Sequence, residues 1–203
     1  MVLCMALSFA GCKSMIKEAA DEASKRAEAQ PIALKDMYSE AGGYHFPGYQ
    51  WGDSFAEFQK VANYPISNIA GYGEDCTYYD AEGWHILLGD YVNDSATVGM
   101  DDGEYIRMIS FEFAGGNGSI SATGFDGFAA VIEANLGKAT EVTEKDGEDQ
   151  NGTKFTYKTY FWRATLENGL ETSLQWGSAT IKGTRTPFAV TFSLGCRVPE
   201  KKE

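Results

Sequence analysis

Histidine is almost missing from this chain: His45, in G-Y-H-F-P, and His85, in G-W-H-I-L, are the only two. Neither sits in an H-E-x-x-H pair and no C-x-x-C occurs, so no protein-built metal site is expected. No G-x-S-x-G elbow is present to carry a nucleophile. The glycine-rich stretch Gly115 to Gly124 has no lysine and no G-K-[ST], which argues against a phosphate cradle and for a linker. The acidic run Lys145 to Thr153 has oxygen donors without the spacing of a Ca²⁺ loop and reads as an exposed turn. No cofactor is expected. Positive charge is also scarce, with 17 Lys and Arg against 29 Asp and Glu and a net charge of −12. A polyanion is repelled by such a field, so nucleic acid is not an expected partner. No apolar run reaches the roughly 18 residues of a spanning helix.

What the chain does have is aromatics, 12 Phe, 11 Tyr and 4 Trp, a composition suited to β-structure. It also opens on an uncharged apolar run, Met1 to Ala10, of the length of a signal-peptide core. Phe9-Ala10-Gly11-Cys12 follows and resembles the bacterial lipobox, with Phe9 where leucine is usual. The resemblance implies a signal peptide over residues 1–11, its basic end expected upstream of Met1, and lipid attachment at Cys12. The expected location is then the bacterial cell envelope, lipid-anchored and extracytoplasmic.

Lys13 to Gln30 is rich in helix formers and carries Asp21–Lys25 and Glu22–Arg26 at i,i+4. Its apolar stripe is slight, so residues 12–50 are expected to be a helical, polar spacer. With Cys12 lipidated and Cys4 removed, Cys76 and Cys196 form an even pair, which in an oxidising compartment suggests a disulfide. The alternative is two buried thiols.

Two similar segments then follow. Trp51 to Pro65 has a possible capping box at Ser54 and Glu57 and a stripe of Phe55, Phe58, Val61 and Ala62. Gly124 to Lys138 has Asp126 as a cap, a stripe of Phe128, Val131, Ile132 and Leu136, and Gly137 as a stop. Strand-like runs follow each: Trp84 to Val92, Ala96 to Met100 and Tyr105 to Phe113, then Phe155 to Thr165, Leu170 to Trp176 and Pro187 to Leu194. Asn93-Asp94 and Asn168-Gly169 supply hairpin signals at corresponding places, and Phe111 corresponds to Phe192.

The expectation is an α+β fold of two tandem repeats, residues 51–114 and 125–198 joined by a linker at 115–124. Each repeat is a helix packed on a small antiparallel sheet of three to four strands. This order resembles the β-lactamase inhibitor proteins and related outer-membrane assembly lipoprotein modules, which implies protein binding and carries no functional residue across.

Alternation along Phe155 to Thr165 separates Phe155, Tyr157 and Phe161 from Lys158, Tyr160 and Trp162. With the first set turned to the helix, Tyr160 and Trp162 are displayed. Tyr78, Tyr79, Trp84 and Trp176 complete the candidate protein-binding surface; the bland alternative is cross-strand packing. The expected function is a non-catalytic protein-binding module with an extracytoplasmic protein partner: an inhibitor, a docking protein or an envelope-assembly factor. A glycan-active hydrolase using a carboxylate pair and a small-ligand carrier are the alternatives.

Overall fold

A computed structural model of the chain describes residues 20, 24–25, 28–62, 69–72, 76–81, 83–101, 104–114 and 120–197. Cys12, Cys4, the lipobox, Asp21, Glu22 and Arg26 of the expected ion pairs, and the first half of the linker lie outside them. In chain order the strands are β1 (Gln30–Pro31), β2 (Tyr38–Ser39), β3 (Gly43–Tyr44), β4 (Ile69–Tyr72), β5 (Thr77–Asp80), β6 (Ile86–Leu88), β7 (Tyr91–Val92), β8 (Ser95–Asp101) and β9 (Tyr105–Ala114). After them come β10 (Glu141–Glu148), β11 (Lys154–Thr165), β12 (Glu171–Ile181) and β13 (Ala189–Arg197). Helix α1 (Phe55–Ala62) precedes β4, and α2 (Ala122–Leu136) precedes β10.

The expected α+β tandem repeats are overturned. The described residues are mostly β, with one eight-stranded antiparallel sheet in the order β10-β11-β12-β13-β9-β8-β5-β4. Two separate small sheets would leave β9 and β13 as long edges of unpaired backbone groups. Instead they pair with each other from Ala189 opposite Ala114 to Gly195 opposite Met108. Phe111 and Phe192, matched as equivalent positions of two copies, are direct cross-strand partners.

One face of this sheet is covered. Its inward rows run Trp162–Leu174–Leu194–Ile109–Val98–Tyr79 and Tyr160–Trp176–Phe192–Phe111–Ala96. Helix α2 lies over the β11–β13 end. Ser121 caps it, accepting the Gly124 N–H at 3.0 Å, and Gly137 ends it at φ 82°. Asp126, expected as the cap, sits inside the helix and accepts from Lys158 Nζ at 2.8 Å and Tyr160 Oη at 3.0 Å. Phe125, Phe128 and Ile132 are buried, while Val131 of the expected stripe is exposed.

Helix α1 begins as expected, Ser54 Oγ accepting the Glu57 N–H at 3.3 Å. It reaches the sheet through rings: Phe58 against Trp84 at 5.4 Å, and Trp84 against Phe111 at 4.8 Å. The segment read as the end of a polar spacer is core instead. Leu34, Met37, Tyr44, Phe46 and Tyr49 are all buried, and β1 pairs in parallel with β6. Its backbone needs partners there and finds them: Tyr44 N–H donates to Thr172 Oγ1 at 3.0 Å, and Gln30 N–H to the His85 carbonyl at 3.0 Å.

Candidate functional site

Few of the expected surface residues are at a surface. Trp84, Trp162 and Trp176 are core residues, the last two at 0% exposure. For the last two, burial leaves the indole N–H satisfied. An indole needs a partner for its N–H when buried, and Trp162 Nε1 donates to the Gly137 carbonyl at 2.8 Å while Trp176 Nε1 donates to that of Phe125 at 3.0 Å. Both acceptors lie at the ends of α2, so Tyr160 and Trp162 are on the helix side of β11. Tyr79 and Tyr160 are half-buried against the same core. Only Tyr78, of the six, lies on the opposite face, its ring over Gly99.

Cys76 and Cys196 are free thiols, and the expected bridge between them does not form. β8 and β9 separate their strands. Three strand spacings of about 4.8 Å are about 14 Å, against about 5.5 Å for the Cα separation of a disulfide. Cys76 lies beside Tyr78 over Gly99, whereas Cys196 lies on the covered side near the end of β13, with Sγ 3.9 Å from the Ile106 carbonyl and 4.0 Å from Arg107 Nη1. Burial pushes the Cys196 thiol up, and the Arg107 guanidinium offsets only part of this. Arg107 is itself held by Asp101 at 2.7 Å.

The histidines are structural as well. His85 Nδ1 lies 3.1 Å from the Asn93 carbonyl, and His45 lies between the Phe46 carbonyl and Ser39 Oγ. Asn93, expected in a hairpin turn, is buried; its Oδ1 accepts the Ile86 N–H, and its Nδ2 donates to the Trp84 and Ser95 carbonyls. Among the described residues no group of three or more His, Cys, Asp or Glu is placed to hold a metal ion.

The feature that remains is the other face of the large sheet, over which no described element packs. Its outward rows follow from the pairing. One runs Glu141–Phe161–Gln175–Ser193–Ser110–Thr97–Asp80 across seven strands. On one side of it lies Thr143–Thr159–Gly177–Thr191–Glu112–Ser95, on the other Arg163–Ser173–Gly195–Met108–Gly99–Tyr78.

The rows share a relief. Over β12, β13, β9 and β8 the side chains are small, mostly Gly, Ser and Thr, and within these rows Glu112 is the one charged group on those four strands. Ser110 and Ser193 hydroxyls bond each other at 2.7 Å. A Cβ on Gly177 would meet Thr191 Oγ1 at 3.1 Å and Thr159 Oγ1 at 3.3 Å, so the small residue belongs to the packing of this face.

On β11 stands a ridge of Phe155, Tyr157 and Phe161. Phe188 packs on Phe155 at 5.4 Å, and Arg163 lies 4.5 Å over the Phe161 ring. Tyr157 and Phe188 remain 44% and 45% exposed. Tyr157 leans over Gly147 of β10 as Tyr78 leans over Gly99, each ring covering backbone that glycine leaves bare. Sequence reasoning separated the two sets of β11 side chains correctly but took the wrong one as displayed.

Comparison of the chain with models of known protein families, with curated proteins and with solved structures finds no match.

Proposed function

We propose that this chain is a membrane-anchored extracytoplasmic lipoprotein whose folded part is a non-catalytic protein-binding module, and that the open sheet face is its binding surface. The observation that carries the reading is the chemistry of that face. On a molecule of net charge −12, it offers a broad, nearly uncharged surface of hydroxyls and glycines beside an exposed aromatic ridge. Depletion of charge at the centre and enrichment in aromatics distinguish protein interfaces from other surface. Rings held over glycines and against each other lose little freedom when a partner packs on them. An inhibitor, a docking protein or an envelope-assembly factor would each use such a face.

The anchor rests on Met1 to Cys12, and among the described residues no helix is long and apolar enough to cross a membrane. Intact-mass measurement of the protein from a bacterial envelope is expected to show a diacylglyceryl group on Cys12; an unmodified Met1 sinks the anchor. For the module, a photo-crosslinking residue at Phe161 is expected to trap an envelope protein. The same residue at Val131, more exposed than Phe161 but on α2 at the covered side, is expected to trap none. Equal yields from both positions reject the open face as the binding surface.

A further inference from the structure

We infer that the occupant of the open face, when no other protein is bound, is a second copy of this chain in a two-fold arrangement that seats the aromatic ridge of each copy in the small-residue valley of the other. The inference rests on the reading of this face as a protein-binding surface and commits it to one partner.

The valley is bounded on one side by Phe161 and Tyr157 of β11 and on the other by Tyr78 of β5. Five strand spacings, about 24 Å, separate these bounds. A partner must offer that width something raised and apolar, and the ridge of Tyr157, Phe161 and Phe188, with Phe155 buried among them, is such a feature on the same face. One surface therefore carries both the projection and the recess. This is the condition for an isologous contact, in which the same patch serves both subunits. A two-fold axis parallel to the strands and lying near β12–β13 brings β11 of each copy over β13–β9 of the other, as two sheets pack face to face.

Charge argues for the same partner. Two molecules of net charge −12 repel through most of their surfaces, and the contact must use a region where that charge is absent. The valley comes nearest to that, with Glu112 the one charged group in its rows. On the ridge side Arg163 is already paired with Glu141 at 3.2 Å and Lys145 lies outward on β10, while Glu112 lies on β9 and Asp80 on β5. The same axis carries Lys145 across the valley to the β9–β8 pair, next to Glu112 of the second copy, and the symmetry makes the contact twice.

Sedimentation equilibrium of the full chain in detergent, over a concentration series, is the test. A monomer–dimer equilibrium is expected. Ser193→Arg, in the valley, and Phe161→Glu, on the ridge, are each expected to give monomers with an unchanged circular dichroism spectrum. Thr191→Lys replaces either variant should it fail to fold. Lys145→Glu and Glu112→Lys are each expected to weaken the dimer up to about tenfold, and the two together to restore it. A monomer at every concentration overturns the inference, as does a dimer indifferent to Ser193→Arg and Phe161→Glu. A monomer that still crosslinks an envelope protein through Phe161 overturns it while leaving the binding-module reading in place.

Discussion

Two faces of one sheet, built from alternate residues of the same strands, have opposite chemistry. Along β12, Thr172, Leu174 and Trp176 point to the helices, and Ser173, Gln175 and Gly177 point away. The covered rows are mostly large and apolar and, apart from the half-buried Tyr79 and Tyr160 at their ends, lie at or near zero exposure. The open rows are small and hydroxylated at their centre, where β-branched and aromatic cross-strand pairs would stabilise the sheet more. Stability accounts for the first face and not for the second. Trp176→Ala is expected to cost about 3–5 kcal/mol, from the lost ring volume and the lost indole bond to the Phe125 carbonyl. Phe161→Ala, on the neighbouring strand but the other face, is expected to cost about 1 kcal/mol or less. Urea unfolding of the two variants measures the difference, and comparable losses would break the contrast.

A gentler version of the same comparison uses two hydroxyls. Thr172, on the covered side, is 1% exposed, and its Oγ1 is the acceptor for the Tyr44 N–H. Thr172→Val keeps the shape and strands a buried donor, at an expected cost of about 1–3 kcal/mol. Ser193, paired with Ser110 on the open face, can hand its partner to water; Ser193→Ala is expected to change stability by no more than about 0.5 kcal/mol. Chemical denaturation of both variants checks the pair. A large loss from Ser193→Ala would mean that the open face is held for stability after all.

Which face is which was not legible in the sequence, and the reason is one residue of loop. Asn168-Gly169 reads as a two-residue turn, which would set Glu167 opposite Leu170 and therefore Trp162 opposite Gln175. In the structure Leu166 and Leu170 close a three-residue loop, with Gly169 at φ 84° and the Leu166 N–H donating to the Leu170 carbonyl at 2.9 Å. Trp162 then faces Leu174. A slip of one residue exchanges the two sides of a strand pair, because side chains alternate with period two. The indole N–H groups held the missing signal, since Trp162 and Trp176 needed acceptors that only a covering element supplies.

Other features yielded unevenly. The start of α1 at Ser54, the stop of α2 at Gly137 and the strands β8, β9 and β11 follow from local pattern. β10 overlaps Lys145 to Thr153, expected as an exposed turn, and E-V-T-E-K-D-G-E hides the strand because it is charged on both sides. That is how an edge strand is protected from further pairing. The core contribution of residues 34–49 has no period to betray it; Met37 enters from a single 3₁₀ turn, Leu34–Met37, and Phe46 and Tyr49 from irregular segments.

The smallest effect is absent at neutral pH and tests the covered side alone. Tyr49 is pushed well up, by burial first and by the neighbouring Cys196 and Asp53 next, and burial likewise raises Cys196. Both groups are neutral when protonated, so a raised value in the fold means that the folded chain keeps protons the unfolded chain gives up. An unfolded cysteine titrates near pH 8.5 and an unfolded tyrosine near 10. Stability is therefore expected to be level below about pH 8 and to fall as pH climbs past each of those values in turn, until the folded groups ionise as well. Thermal unfolding between pH 7 and pH 11 reads the slope. Cys196→Ser is expected to flatten its first part and Tyr49→Phe its second. An alkaline slope that survives both substitutions would place the responsible protons elsewhere, and would remove the Tyr49–Cys196 cluster from the account of what makes the covered side more sensitive than the open one.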